Sequence, residues 1–166
     1  MLGKTIFVER ENRRSVKKQA ILIKENMENG LTVILFPEGT SSDGSKVLGF
    51  KSSLFEVVDH EELRNYKLQP ISISYNKLDG LPLVKIHRPF LAWFGAMNLA
   101  PHVWKFLGLG TSEVDIRFHK SEKFSDFLNR KEACTYCFKK ISEQVIKDYQ
   151  LLEVDNKIKL NEFKFL

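Results

Sequence analysis

Between Pro37 and Lys46 the chain sets one carboxylate, Glu38, at the head of a run with little side-chain bulk: Gly39, Thr40, Ser41, Ser42 and Gly44. Small residues let backbone N–H groups approach an anion, and the hydroxyls donate further hydrogen bonds. The Glu38 carboxylate does the opposite work, accepting hydrogen bonds from substrate hydroxyls or from the loop's own amides. Gly39 to Lys46 reads G-x-x-x-x-G-S-K, a near miss to the phosphate-cradling G-x-x-x-x-G-K-[ST]. The lysine is displaced by one position and Asp43 would face a phosphate, so the pattern argues against a nucleotide loop. The plain alternative is a flexible connection.

Such a loop needs a rigid mount. Leu31 to Phe36 (LTVILF) is an unbroken apolar run of strand length and predicts a strand buried on both faces of a parallel sheet, with the loop at its carboxyl end. Before it, Val16, Ala20, Ile23 and Met27 recur at helical spacing, so a helix is expected from Ser15 to Asn29 with Gly30 just past its end. Phe50, Leu54 and Val57 predict a helix after the loop. Thr5 to Val8, Leu68 to Tyr75 and Val114 to Phe118 predict strands, the last of them half-buried through its apolar side, and Asn76 to Gly80 supplies turn residues. A final helix is expected from about Asn129 to Leu152. Strands interleaved with helices predict an α/β fold with a mostly parallel or mixed sheet flanked by helices. The expected domain covers residues 1–152, and residues 153–166 form a tail without a clear period.

The 166 residues suffice for one domain with a real core. Apolar residues at 43% and charged residues at 28% argue against disorder and coiled coil. A net charge of +5 suits anionic partners without choosing among them. No RNA-binding aromatic motif or zinc-finger spacing accompanies that charge, so no nucleic-acid partner is expected. Two cysteines, Cys134 and Cys137, make no disulfide framework, which points to a reducing compartment. Their C-x-x-C spacing lacks a second ligand pair and falls in or beside the apolar stripe of the last helix, so both are expected in the core and no metal is expected. No charge-free apolar run reaches the length of a spanning helix.

Phe36-Pro37-Glu38-Gly39-Thr40 resembles the FPEGT block of the glycerolipid acyltransferases, the family of 1-acyl-glycerol-3-phosphate acyltransferases. Gly3 to Arg10 (GKTIFVER) is similar to that family's G-x-x-x-[FI]-x-x-R block, and Gln69 to Ile73 (QPISI) to its proline-containing strand block. The resemblance spans Gly3 to Ile73 and implies an acyltransferase-like fold in the service of phospholipid biosynthesis. The implied reaction moves an acyl chain from acyl-CoA or acyl carrier protein, a co-substrate and not a cofactor, to a lysolipid hydroxyl such as that of lysophosphatidic acid. It implies a phosphate-binding role for Arg10, acceptor binding by Glu38 and Gly39, and a shaping role for Thr40. Ser41 stands where the family often has arginine, which removes one cation; Lys46 and Lys51 are the candidates to replace it, and Arg13 and Arg14 to extend a basic rim.

The family's catalytic His-x-x-x-x-Asp is expected upstream of the arginine block, and no histidine here meets its spacing: the fifth residue after His60, His87, His102 and His119 is Asn65, Ala92, Leu107 and Phe124. The sequence therefore reads as the C-terminal portion of the family fold, inactive alone. The alternative is a non-catalytic lipid- or anion-binding remnant. Phe90, Trp93, Phe94 and Met97 fall at helical spacing, as a core face or as an interfacial face that meets lipid. The implied location is peripheral, at the cytoplasmic face of a membrane.

Overall fold

The computed structural model describes residues 13–163, with side chains over 20–154. The strand-like Thr5–Val8 run and Arg10 lie outside the described residues. The chain divides into two compact units. Among the described residues, the first holds those up to Gly39 together with Gly49–Leu68 and Ser121–Phe138; the second holds Thr40–Leu48, Gln69–Lys120 and those from Lys139.

In the first unit, helix α1 (Arg13–Glu28) packs on a 3₁₀ helix, Ser52–Asp59. The end of α1 follows from one residue. Gly30 takes φ +75°, and the Gly30 and Leu31 amides donate to the Met27 and Asn26 carbonyls, so the last turn closes as the sequence predicts. Ala20, Phe55, Val58, Leu63, Phe124 and Phe127 form the core with Ala133, Cys134 and Cys137 of helix α3 (Arg130–Phe163). The Tyr66 hydroxyl donates to the Met27 carbonyl at 3.1 Å, and Lys24 pairs with Glu62. Two short strands, β1 (Lys67–Leu68) and β5 (Glu122–Lys123), pair antiparallel. Helix α3 starts where Asn129 accepts hydrogen bonds from the Lys131 and Glu132 amides.

The expected strand at Leu31–Phe36 does not form. The run is irregular, with Ile34 and Phe36 each 73% exposed and Val33 and Leu35 half-buried. An apolar run is buried on both faces only when strands flank it, and among the described residues none pairs with it.

In the second unit β2 (Ile71–Leu78) lies between β3 (Leu81–Pro82) and β4 (Ser112–Phe118). All three ladders among the described residues are antiparallel, so the expected parallel order is corrected. A two-residue turn at Asp79 and Gly80, both at positive φ, joins β2 to β3 and leaves no room for the crossover a parallel pair needs.

The sheet also faces the other way from the expectation. Ser72, Ser74 and Asn76 are buried, whereas Ile73, Tyr75, Val114, Ile116 and Phe118 are exposed. The buried side meets a polar patch of α3: Ser74 donates to Asp148 at 2.9 Å, Gln144 to the same carboxylate at 2.8 Å, and Arg117 pairs with it at 3.2 Å. Alternation fixed which residues share a face, and the hydrogen bonds of Asp148 decide which face is inside.

Helix α3 continues through Phe163 instead of ending at Leu152. It contains neither glycine nor proline, so helix propensity sustains it beyond the point where the apolar period is lost. The segment Phe90–Met97 is not the expected helix. Proline at 89 falls in a 3₁₀ helix, Lys85–Phe90, and Gly95 at φ +64° breaks the turn that follows; helix α2 forms later, over Leu99–Leu107.

Candidate acceptor-binding site

The loop after Phe36 passes from the first unit to the second between Gly39 and Thr40. On the first side, the Gly39 amide donates to the Phe36 carbonyl at 3.2 Å and the Lys51 amide to the Pro37 carbonyl at 2.9 Å, which turns the chain sharply at Pro37-Glu38. Gly39 adopts φ +64°, a left-handed conformation that strains any other residue. Lys51 lies directly over it. A side chain at position 39 would begin 3.2 to 3.3 Å from the end of the Lys51 chain, ammonium included. Gly39 and the exposed Lys51 are thus brought together, and Glu38, the neighbour of Gly39 in the chain, is half-buried.

On the second side, Thr40, Ser41 and Lys46 are exposed. Asp43 accepts from the Ser45 amide and the Ser45 hydroxyl, each at 3.0 Å, and the Ser42 hydroxyl accepts from the Gly44 amide at 3.3 Å. Those hydrogen bonds, first the one from the Ser45 amide, hold the Asp43 carboxyl below its ordinary range. Two amides that a nucleotide loop would offer to phosphate are therefore spent inside the turn, in agreement with the misplaced lysine.

Arg10, the expected phosphate contact, lies outside the described residues, and the side chains of Arg13 and Arg14 do too. One cation escaped the sequence reading. Arg88 is 4% exposed, with its guanidinium carbon 3.4 Å from the centre of the Tyr149 ring. Burial lowers its pKa, but an arginine stays charged. The Tyr149 hydroxyl in turn donates to the Gly44 carbonyl at 3.1 Å. The sequence signal was a lone arginine set directly before the Pro89 apolar segment.

Elsewhere in the second unit, His119 and Ser72 lie 3.1 Å apart, and burial, followed by Lys140 and Arg117, lowers the histidine's pKa. A cavity of about 110 Å³ lined by Asn76, Asp115, Arg117, Asp148, Leu151 and Leu152 is too small for an acyl chain. Among the described residues no cluster fits a metal ion.

Cys134 and Cys137 are buried and free, and desolvation pushes the Cys137 thiol up to about 12. Against an ordinary 9.0 that leaves about 10³-fold less thiolate near neutral pH. At pH 8 iodoacetamide should leave Cys137 of the native chain unmodified while alkylating it promptly in urea. The same shift is a stability term with a definite sign: its contribution is whole below the unfolded thiol's pKa and is lost as pH rises through the folded one. Rapid native labelling, read by mass spectrometry, would place Cys137 outside the core.

Residues 1–74 match the family model described as Acyltransferase. A lyso-ornithine lipid O-acyltransferase of Rhizobium meliloti (strain 1021) is 38% identical over 135 residues, covering 79% of this chain and 46% of the relative. A lyso-ornithine lipid O-acyltransferase of Brucella abortus (strain 2308) is 35% identical over 123 residues, covering 71% of this chain and 46% of the relative. One from Rhodobacter capsulatus is 32% identical over 136 residues, covering 80% of this chain and 47% of that protein. No solved structure matches. The first 74 residues thus match the acyltransferase family, and the curated relatives that the chain resembles are lysolipid O-acyltransferases. It spans about half the length of the curated relatives it matches.

Proposed function

We propose that this chain serves acyl transfer to a lysolipid in lipid biosynthesis, and that it supplies the acceptor-binding and membrane-facing parts of that work. The observation that carries the reading is the FPEGT turn itself: a left-handed glycine under a lysine ammonium, preceded in the chain by Glu38 and followed by a hydroxyl-rich run. A carboxylate and an ammonium are the two partners an ornithine head group asks for, since it carries one of each. Ser41 brings no second cation to the loop, which suits a head group other than a phosphate dianion. The acceptor is therefore a lyso-ornithine lipid in preference to lysophosphatidic acid, and the donor is acyl-CoA or acyl carrier protein.

The segment Leu81–Leu107 supports contact with lipid at the cytoplasmic face of a membrane. Ile86, Phe90, Trp93, Met97, Leu99, Val103, Trp104 and Leu107 are all exposed, with Trp104 at 80%. No aspartate or glutamate occurs between Gly80 and Ser112, while Lys85 and Lys105 flank the apolar residues. Such a surface favours an anionic interface. Among the described residues no helix is long and apolar enough to cross a membrane.

The test is a chimera in which this chain replaces the matching 135 residues of the Rhizobium meliloti relative. Acyl transfer to lyso-ornithine lipid should survive the exchange, exceed transfer to lysophosphatidic acid, and fall at least tenfold with Glu38→Ala. Preference for lysophosphatidic acid would refute the acceptor assignment.

A further inference from the structure

Arg88 is charged and buried, and two of its donors are unused. Its Nε and Nη2 atoms are closed from solvent and have no hydrogen-bond partner. Those two atoms form one edge of the guanidinium, the edge whose parallel N–H bonds grip both oxygens of a carboxylate or two oxygens of a phosphate. Burying such an edge unpaired is costly, and stacking on Tyr149 replaces none of the missing hydrogen bonds.

The arginine's surroundings belong to the loop. A side chain at Gly44 would begin 3.9 Å from the Arg88 Cβ, and the Tyr149 ring that stacks on the guanidinium also ties down the Gly44 carbonyl. Asp43 and Glu153 act on Arg88 through space, but the Asp43 oxygens are turned to Ser45. Asp43 is thus engaged elsewhere, and Glu153, whose pull on the arginine is the larger, is exposed.

We infer that Arg88 is an oxyanion-binding residue of the Thr40–Leu48 segment, and that its free Nε/Nη2 edge receives the carboxylate or phosphate of a lysolipid head group. The inference rests on the lysolipid reading above and adds a residue to it. Because the donors are closed here, the anion enters with a displacement of that segment, whose tie to be broken is the Tyr149–Gly44 hydrogen bond.

The experiment uses the full 166-residue chain, wild type, Arg88→Met and Arg88→Lys. Three probes are titrated: inorganic phosphate, phosphatidylcholine vesicles doped with lyso-ornithine lipid, and the same vesicles doped with lysophosphatidic acid. Binding and melting temperature are both recorded. Wild type should bind at least one probe and melt higher in its presence. Response to phosphate alone marks a free-anion site, and response only to doped vesicles marks a head-group site. Arg88→Met should bind at least tenfold more weakly yet melt no lower than wild type, since an unpaired buried charge has been removed; Arg88→Lys should recover part of the affinity. No anion response in wild type, or equal binding by Arg88→Met, overturns the assignment. If Arg88→Met fails to fold, Arg88→Lys decides: a folded lysine variant with wild-type affinity and a lowered melting temperature makes Arg88 structural. The chimera separates the two readings. Transfer that is indifferent to Arg88→Met removes Arg88 and leaves acyl transfer standing, whereas an inert chimera with Arg88-dependent anion binding does the reverse.

Discussion

Incubated as these 166 residues with acyl-CoA and lyso-ornithine lipid, the purified chain is expected to release thiol no faster than a heat-denatured control. In the transfer the acceptor oxygen bonds to the acyl carbon, the thioester C–S bond breaks, and the hydroxyl proton must leave as the oxygen attacks. A neutral lipid hydroxyl near pH 7 is a poor nucleophile, and a positioned general base is typically worth about 10²- to 10⁴-fold. None of the four histidines has an aspartate five residues on. Of these, His119 is engaged with Ser72 beside the buried side of the sheet. On the proposed reading the loop at Glu38 binds and orients the acceptor without supplying that base, so anion binding should persist where turnover does not. Free thiol and diacyl product would be followed together. Saturable turnover well above the control would overturn this expectation and direct attention to His60, His87, His102 and His119.

The second large effect is expected at a lipid surface. Helix α2 has no buried residue, so its side chains contribute little to the fold and much to any interface. Trp104 and Leu107, one turn apart, are among the most exposed apolar residues of the chain. Immersing two such side chains even partly is worth about 3 kcal/mol, or roughly 100-fold in partitioning. The double change Trp104→Ser with Leu107→Ser should therefore release the chain from vesicles containing anionic lipid, with the melting temperature nearly unchanged. Sedimentation with vesicles reads the first quantity and circular dichroism the second. Retention on vesicles would refute the interfacial role, and unfolding would show that α2 is packed. Trp93 is the poorer probe, because its indole N–H donates to the Met97 carbonyl at 2.8 Å and holds the intervening turn.

What could be foreseen from the sequence was what is local. The end of α1 is written in Gly30 and the start of α3 in Asn129, because a cap needs only its neighbours within a turn. That a loop follows Phe36 was legible for the same reason. Leu31–Phe36 misled because an apolar run reports composition and not the presence of flanking strands. The Phe90–Met97 stripe misled because spacing alone ignores the proline and glycine that interrupt it. Arg88 was invisible as a site: its isolation depends on Tyr149, sixty-one positions away in sequence, and on a loop before it.

The inverted sheet reverses the usual pattern of mutational tolerance. In most half-buried strands a serine can drift freely and an isoleucine cannot. On β2 and β4 of this chain, Ile73 and Ile116 stand opposite one another on the open side, where a polar replacement breaks no buried contact within the unit. Ser74 is the constrained position, since bulk or a lost hydroxyl there is felt directly by Asp148 and its partners. Substitution matrices would rank these sites the wrong way round, and the small polar letters of β2 hold the specificity that its isoleucines seem to advertise.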